Sequence, residues 1–275
     1  MKLPTIVIPV FNAFEYVQEC LASLDRHSPE AEVLVIDDDS TDGRVLPLLQ
    51  EWAGLGNDRR LIRQTENRGF VHSANLGMAE TDGDVVLLNS DTRATAGWLD
   101  ALGRCLASDP GIATATPWTN NGEIASLPEF CQANPVPGSP DDVARTMRGC
   151  GAPQYPEIPT AVGFCMAVAR RAVDCIGLFD AETFGRGYGE ENDFCMRAIE
   201  AGFRNVLCDD AYVVHHGAAS FGPIGLRADE GAMQRLLALH PAYLERVSAF
   251  IKADPLAQRR EAILDALNRA GVGMR

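Results

Sequence analysis

The chain lacks any apolar run long enough to cross a bilayer. A spanning helix needs about 18–20 consecutive apolar residues, and stretches such as Val85-Val86-Leu87-Leu88 fall far short. Met1 to Val10 offers no signal-peptide apolar region and no cleavage site, so a soluble, cytoplasmic protein is expected. Positive charge is also scarce. Lys and Arg number 24 against 38 acidic residues, giving a formal charge of -14. Nucleic-acid binding needs a basic footprint, so that class is excluded. A face for broadly anionic membranes is disfavoured for the same reason. None of the eight cysteines forms a CxxC pair or a zinc-like spacing. Several sit among apolar residues and read as reduced, buried thiols. After the first apolar run the chain reads Pro9-Val10-Phe11-Asn12-Ala13-Phe14. No GxGxxG follows, against a dinucleotide-dependent oxidoreductase. No Lys or Arg follows either, against a nucleotidyltransferase.

What is present is an alternation of short apolar runs and helical patterns, the signature of βαβ units. Strands are expected at Leu3–Val10, Glu32–Ile36, Arg60–Arg63, Asp84–Leu88 and Gly111–Pro117. Helices are expected at Glu15–Arg26, from a cap at Ser40 or Thr41 to about Trp52, at Gly69–Glu80 and at Ala96–Ser108. Residues 119–160 are proline-rich and loop-like, with a helix at Asp141–Arg148. Beyond them the pattern predicts strands at Thr160–Ala169, Val206–Cys208 and Ala211–His215, and helices at Glu190–Gly202, Ala228–His240, Tyr243–Ile251 and Arg259–Arg269. The expected class is therefore α/β, a Rossmann-like, mostly parallel sheet flanked by helices. One domain is expected over 1–225, with a nucleotide-binding α/β half at 1–117 and a loop-rich half at 118–225. A helical extension follows at 226–275.

The chemistry-bearing residues cluster at strand ends, where open α/β sheets bind ligands. Ile36-Asp37-Asp38-Asp39-Ser40 carries three consecutive carboxylates, which repel one another and need a reason to be adjacent. Asn67-Arg68-Gly69-Phe70 precedes a helix, whose N-terminus favours an anion. Asn89-Ser90-Asp91 follows the Val85–Leu88 run, and a hard carboxylate there suits Mg2+ or Mn2+ on a diphosphate. Gly187-Tyr188-Gly189-Glu190-Glu191-Asn192-Asp193 places acids in the first turn of a helix. There they stabilise the dipole, and one can serve as a general base. His215 and His216 end a strand and point to opposite faces, so at most one faces a site.

In order and spacing these segments resemble the inverting family-two glycosyltransferases of the GT-A fold, in their non-processive, rhamnosyltransferase-like branch. The likeness runs from about Thr5 to Phe221. It includes Ile6-Val7-Ile8-Pro9-Val10-Phe11-Asn12, Val35 to Gly43, Asn75-Leu76-Gly77, Gly163-Phe164-Cys165-Met166 and the His-x-Gly-x-x-Ser-Phe stretch from His215 to Phe221. The resemblance implies donor contacts from Pro9, Val10, Phe11, Asp38, Asn67, Arg68, Gly69, Asn75, Asn89 and Ser90. It implies Asp91 and His215 at a Mn2+ or Mg2+ ion, and Glu191 as general base with Asp193 as its rival. The partners implied are a uridine or thymidine diphosphate sugar and a hydroxyl of a glycan or lipid-linked acceptor. Two departures stand out: Asp91 is the only carboxylate of its motif, and Glu191 stands where many members have Asp. No QxxRW-like motif is present, which disfavours a processive synthase. The competing class is a non-catalytic nucleotide-sugar-binding protein, against which Glu191, Asp91 and His215 speak. The Arg259–Arg269 helix, with Ile263, Leu264 and Leu267 on one side, leaves three partners open: its own domain, a second subunit in a homodimer, or a peripheral membrane surface.

Overall fold

The computed structural model describes residues 2–56, 58–217 and 230–274. Three continuous apolar runs build its centre: β1 (Thr5–Val10), β2 (Val33–Asp37) and β4 (Val85–Leu88), every residue of which is buried. Runs without alternation are what strands covered on both faces require. β3 (Arg59–Arg63) instead places arginines along the sheet edge, where they discourage further pairing. β6 (Ile112–Trp118), β7 (Cys165–Val168) and β8 (Arg204–Tyr212) complete seven strands in the order β3-β2-β1-β4-β7-β6-β8. β7 pairs antiparallel with both β4 and β6, and the other pairings in the sheet are parallel. The fold is the mixed α/β architecture expected, with strands from both sides of residue 118 in one sheet.

Helices cover both faces. α1 (Phe14–His27) buries Val17, Cys20, Leu21 and Leu24 at helical spacing. α2 (Val45–Ala53), α3 (Phe70–Ala79) and α4 (Trp98–Ser108) follow in the first half. α3 comes so close to β1 that a Cβ on Gly77 would lie 2.1 Å from Val7 Cγ1. In the second half are α5 (Pro140–Arg148), α6 (Arg170–Ile176), α7 (Ala181–Phe184), α8 (Glu190–Glu200), α9 (Glu230–Leu239), α10 (Tyr243–Ala253) and α11 (Ala257–Ala270). Ile263 and Leu267 of α11 are buried in a second apolar cluster with Trp118, Met147 and Tyr212. These two residues of α11 thus pack against their own domain, with Leu264 partly buried beside them. Among the described residues no helix is long and apolar enough to cross a membrane.

Three local expectations shift. The helix after Ser40 begins only at Val45, because Ser40 Oγ accepts from Asn12 N–H at 2.9 Å and caps nothing. The strand at Thr160–Ala169 shortens to Cys165–Val168. Val206–Cys208 and the start of Ala211–His215 fuse into β8, followed by β9 (Val214–His215). The fusion occurs because Asp209 and Asp210, which read as a break, are buried and paired with Arg259 and Arg104. The expected helix start at Ala228, and Ser220-Phe221, lie outside the described residues.

Candidate active site

The strand order creates the site. The chain winds from β1 outward to β3, then returns to place β4 on the other side of β1. The crevice at the carboxyl ends of β1 and β4 is the switch point at which such sheets bind ligands. A cavity of about 330 Å³ lies there, lined by Pro9, Val10 and Phe11 from the end of β1, Asp38 from β2, and Asn89, Ser90 and Asp91 from β4. Asn67, Gly69, Glu191 and His215 complete the residues that the sequence singled out within it.

The three adjacent aspartates divide their work. Arg63, at the end of β3, donates to Asp37 Oδ2 at 2.9 Å and to Asp39 Oδ1 at 2.8 Å, which offsets their repulsion. Asp38 faces the other way, into the cavity. Its carboxylate accepts from Gln64 Nε2 and from the Arg68 and Gly69 amides at 2.7–2.8 Å. Burial pushes Asp38 above the usual carboxylate range, opposed by those two amides. It therefore holds the 67–69 turn against the cavity wall.

Asp91 and His215 are far apart in sequence and meet through a two-stranded ribbon. β5 (Thr92–Arg93) pairs antiparallel with β9, setting Thr92 opposite His215. Asn120 clamps the His215 backbone, accepting its N–H and donating to its C=O, each at 3.0 Å. The His215 ring stacks on Phe164 with centroids 5.1 Å apart. Its Nδ1 faces the Asn121 carbonyl, which can only accept, so Nδ1 carries the proton. Nε2 then presents a lone pair 3.6 Å from Asp91 Oδ1. Two bonds of about 2.1 Å to one ion span at most about 4.2 Å, so these donors fit a single Mg2+ or Mn2+. Among the described residues no third His, Cys, Asp or Glu joins them. His216 turns away to Glu19, 3.1 Å off.

The opposite wall is the first turn of α8. Its approach needs glycine: Gly189 has φ 101°, and a Cβ there would lie 2.8 Å from Phe184. Glu190 and Glu191 both line the cavity. Burial holds Glu190 well above the ordinary glutamate range, and the Glu191 charge adds to this. Burial likewise raises Glu191, with backbone amides at the helix start and the Asn192 side chain opposing. Asn192 Nδ2 donates to Glu191 Oε1 at 3.2 Å. Gly163 lies beside the carboxylate, and a Cβ there would be in ordinary contact with Glu191 Cδ at 3.8 Å.

Three candidates stand outside the cavity. Asp193 is buried between Arg197, at 2.7 Å, and His240, at 2.9 Å. Two residues along a helix is about 200° around it, so Asp193 and Glu191 cannot share a face. Arg68 contributes its backbone, and its side chain is exposed. Asn75 staples the Phe179 backbone, accepting its N–H at 3.0 Å and donating to its C=O at 2.9 Å. The cavity also contains Ser73 and Arg186, which sequence reasoning did not name, and Phe70, Phe164 and Tyr188, which stood inside its motifs without a role of their own. Among the described residues Arg186 is the one guanidinium lining the cavity, and it hydrogen-bonds Asn67. A lone basic residue inside Gly185-Arg186-Gly187 was the available signal.

The family model for glycosyl transferase family 2 matches residues 5–177. An uncharacterised protein of Mycobacterium tuberculosis is 28% identical over 218 residues, covering 77% of this chain and 73% of its own. The pre-mycofactocin glycosyltransferase of that species is 30% identical over 77% of this chain, which spans only 42% of that protein. Its N-acetylglucosaminyl-diphospho-decaprenol L-rhamnosyltransferase is 25% identical over 80% of this chain and 78% of its own. Among solved structures, GalNAc-T7 with UDP, GalNAc and Mn2+ superposes with TM-score 0.66 at 14% identity, covering 96% of this chain and 54% of that one. The Pyrobaculum calidifontis mannosyltransferase PcManGT with GDP-Man and Mn2+ gives 0.57 at 17% identity, covering 98% and 76%.

Proposed function

The chain is a member of glycosyl transferase family 2 with a GT-A fold, and on that premise we propose that it moves one sugar from a nucleoside diphosphate sugar to an acceptor hydroxyl, inverting the anomeric carbon. The observation that carries this reading is the convergence of Asp91, His215 and Glu191 on one cavity at the switch point of the sheet. Among the described residues, Asp38, Asp91 and Glu191 bring carboxylates to the cavity and Arg186 brings a guanidinium. A diphosphate entering so acidic a space needs a cation beside it, and Asp91 with His215 supplies a place for one. When bound, Mg2+ or Mn2+ would neutralise charge on the leaving nucleoside diphosphate.

The chain's own residues do the rest. Pro9–Phe11, Asp38, Asn67 and Gly69 hold the nucleoside, and Asn89 and Ser90 border the diphosphate. Glu191 removes the acceptor proton as the hydroxyl oxygen bonds to the anomeric carbon. The bond from that carbon to the diphosphate oxygen breaks, and its electron pair leaves with the nucleotide. One displacement inverts the carbon and needs no covalent enzyme intermediate. The rhamnosyltransferase relative, named for N-acetylglucosaminyl-diphospho-decaprenol, supports a lipid-linked glycan as acceptor. Solved neighbours bound to UDP or GDP-Man support a nucleoside diphosphate sugar as donor; uridine or thymidine as its base, and action at the inner face of a membrane, are part of the proposal.

A thermal-shift panel of UDP, dTDP, GDP and their sugars, with and without Mn2+, tests the donor site. A ligand bound to the folded state raises the melting temperature. A metal-dependent shift confined to one base is expected, and Asp91→Ala should abolish the metal dependence. Glu191→Gln should then lower turnover about 100- to 10,000-fold with donor affinity retained, the usual range for general-base catalysis. Collapse of donor affinity in Glu191→Gln would remove the base assignment. Donor binding without turnover in the unmutated chain would favour a non-catalytic binder.

A further inference from the structure

We propose that Tyr243, on α10, is a positioning residue for Glu191 and acts through the side-chain amide of Asn192. The proposal rests on Glu191 being the base. Tyr243 O–H donates to Asn192 Oδ1 at 2.8 Å, and Asn192 Nδ2 donates to Glu191 Oε1 at 3.2 Å. An amide has two ends, and only one orientation offers N–H to the carboxylate. The opposite orientation would set a carbonyl against an ionised carboxylate. Thr160 Oγ also lies 2.8 Å from Asn192 Oδ1, but its one proton is shared with the Ala161 carbonyl at 3.1 Å. Tyr243 and Thr160 therefore act together on Asn192 Oδ1 to set which end of the amide faces Glu191. Burial holds the Tyr243 phenol well above its ordinary range, so it stays a donor at every working pH.

The phenol is itself held in place. His240, at the end of α9, is buried and links Asp193 at 2.9 Å to Glu200 at 3.3 Å, both on α8. Tyr243 N–H donates to the His240 carbonyl at 3.0 Å. The segment 240–243 thus grips the helix that carries the base at three points: Asn192, Asp193 and Glu200. Among the described residues, the titratable groups acting on Glu191 are Glu190, Glu123, Tyr188, Cys195 and Tyr243. Of these, Tyr243 is the one that reaches Glu191 through a hydrogen-bonded amide.

The test compares Tyr243→Phe, Asn192→Ala and the double variant. Tyr243→Phe keeps the ring and its packing. Glutamate carboxyl 13C shifts followed against pH need no substrate, with Glu191→Gln identifying the resonance. Loss of the donated hydrogen bond should move Glu191 titration to higher pH in both single variants, with no further move in the double. With whichever of UDP-glucose, UDP-N-acetylglucosamine and dTDP-rhamnose gives the Mn2+-dependent thermal shift, kcat should fall about tenfold, donor KM should hold, and the acid limb of the rate should rise in pH. A folded Tyr243→Phe protein with unchanged Glu191 titration and unchanged kcat would overturn the relay. If Glu191→Gln kept its turnover, the base reading would fall first and the relay with it, a result separable from the former.

Discussion

Glu190 and Glu191 are adjacent acids with different surroundings. Two like charges in one helix turn beside a buried cavity cannot both ionise cheaply, so they titrate as a pair. Glu190 is 4% exposed, and its Oε2 has no hydrogen-bond partner among the described residues. Burial therefore favours the neutral form more strongly at Glu190, while the Asn192 amide favours the charged form of Glu191. The consequence for stability has a definite sign. A carboxyl raised on folding binds a proton that the unfolded chain, with an ordinary value of 4.5, would release. Folding then takes up protons, and stability falls as pH rises above that ordinary value. Glu190→Gln removes the penalty. Its melting temperature should exceed that of the parent chain at pH 8, and the gap should narrow steadily as pH is lowered toward 4.5. A gap independent of pH would show that Glu190 is ionised in the folded protein.

At the scale of elements, the site depends on how tightly α3 lies on β1. Gly77 makes that approach possible, because a Cβ there would meet Val7 Cγ1 at 2.1 Å and Val7 Cβ at 3.2 Å. Gly77→Ala must push the helix off the strand or force Val7 from its rotamer, a cost of about 1–3 kcal/mol for an overpacked core. Denaturant melts should record that loss, and Val7→Ala in the same chain should recover part of it, because the two positions touch and their effects are not additive. Additive losses would mean that the clash is relieved elsewhere. The same level shows what local sequence can and cannot reveal. Val85–Leu88 and Thr5–Val10 announce themselves as central strands, because burial on both faces leaves no alternation to misread. The carboxyl ends of β1, β2 and β4 follow from this, and with them Pro9–Phe11, Asp38 and Asn89–Asp91. The antiparallel direction of β7 is not local information. Neither is the continuity of β8 through Asp209 and Asp210, whose charges are balanced by Arg259 and Arg104 from remote segments. His215 was readable as a strand end, but its meeting with Asp91 depends on the β5–β9 ribbon. The separation of Glu191 from Asp193 was readable after all, since helical geometry alone places them on different faces.

For the whole molecule, the second apolar cluster and one buried ion pair tie the C-terminal helices to the sheet. Asp209 of β8 is fully buried, and Arg259 of α11 lies 2.7 Å away with its side chain 10% exposed. Asp209 also accepts from the Gln154 and Tyr155 amides, and Arg259 donates to the Cys150 carbonyl. β8, the loop at 150–155 and α11 therefore close on a single charge pair. Replacing such a pair by apolar groups can be neutral, but removing one partner strands the other charge, at a cost of about 3–5 kcal/mol. Arg259→Met should accordingly lower the melting temperature by roughly 2–4 °C per kcal/mol lost, and Arg259→Met with Asp209→Asn should restore a good part of it. Because Asp209 sits within a strand of the central sheet, the loss should appear in one cooperative transition. An early separate transition in Arg259→Met would mean that α10 and α11 melt independently of the sheet. In that case Tyr243 would leave Asn192 before the fold is lost, and turnover would fall at temperatures where the sheet is still intact.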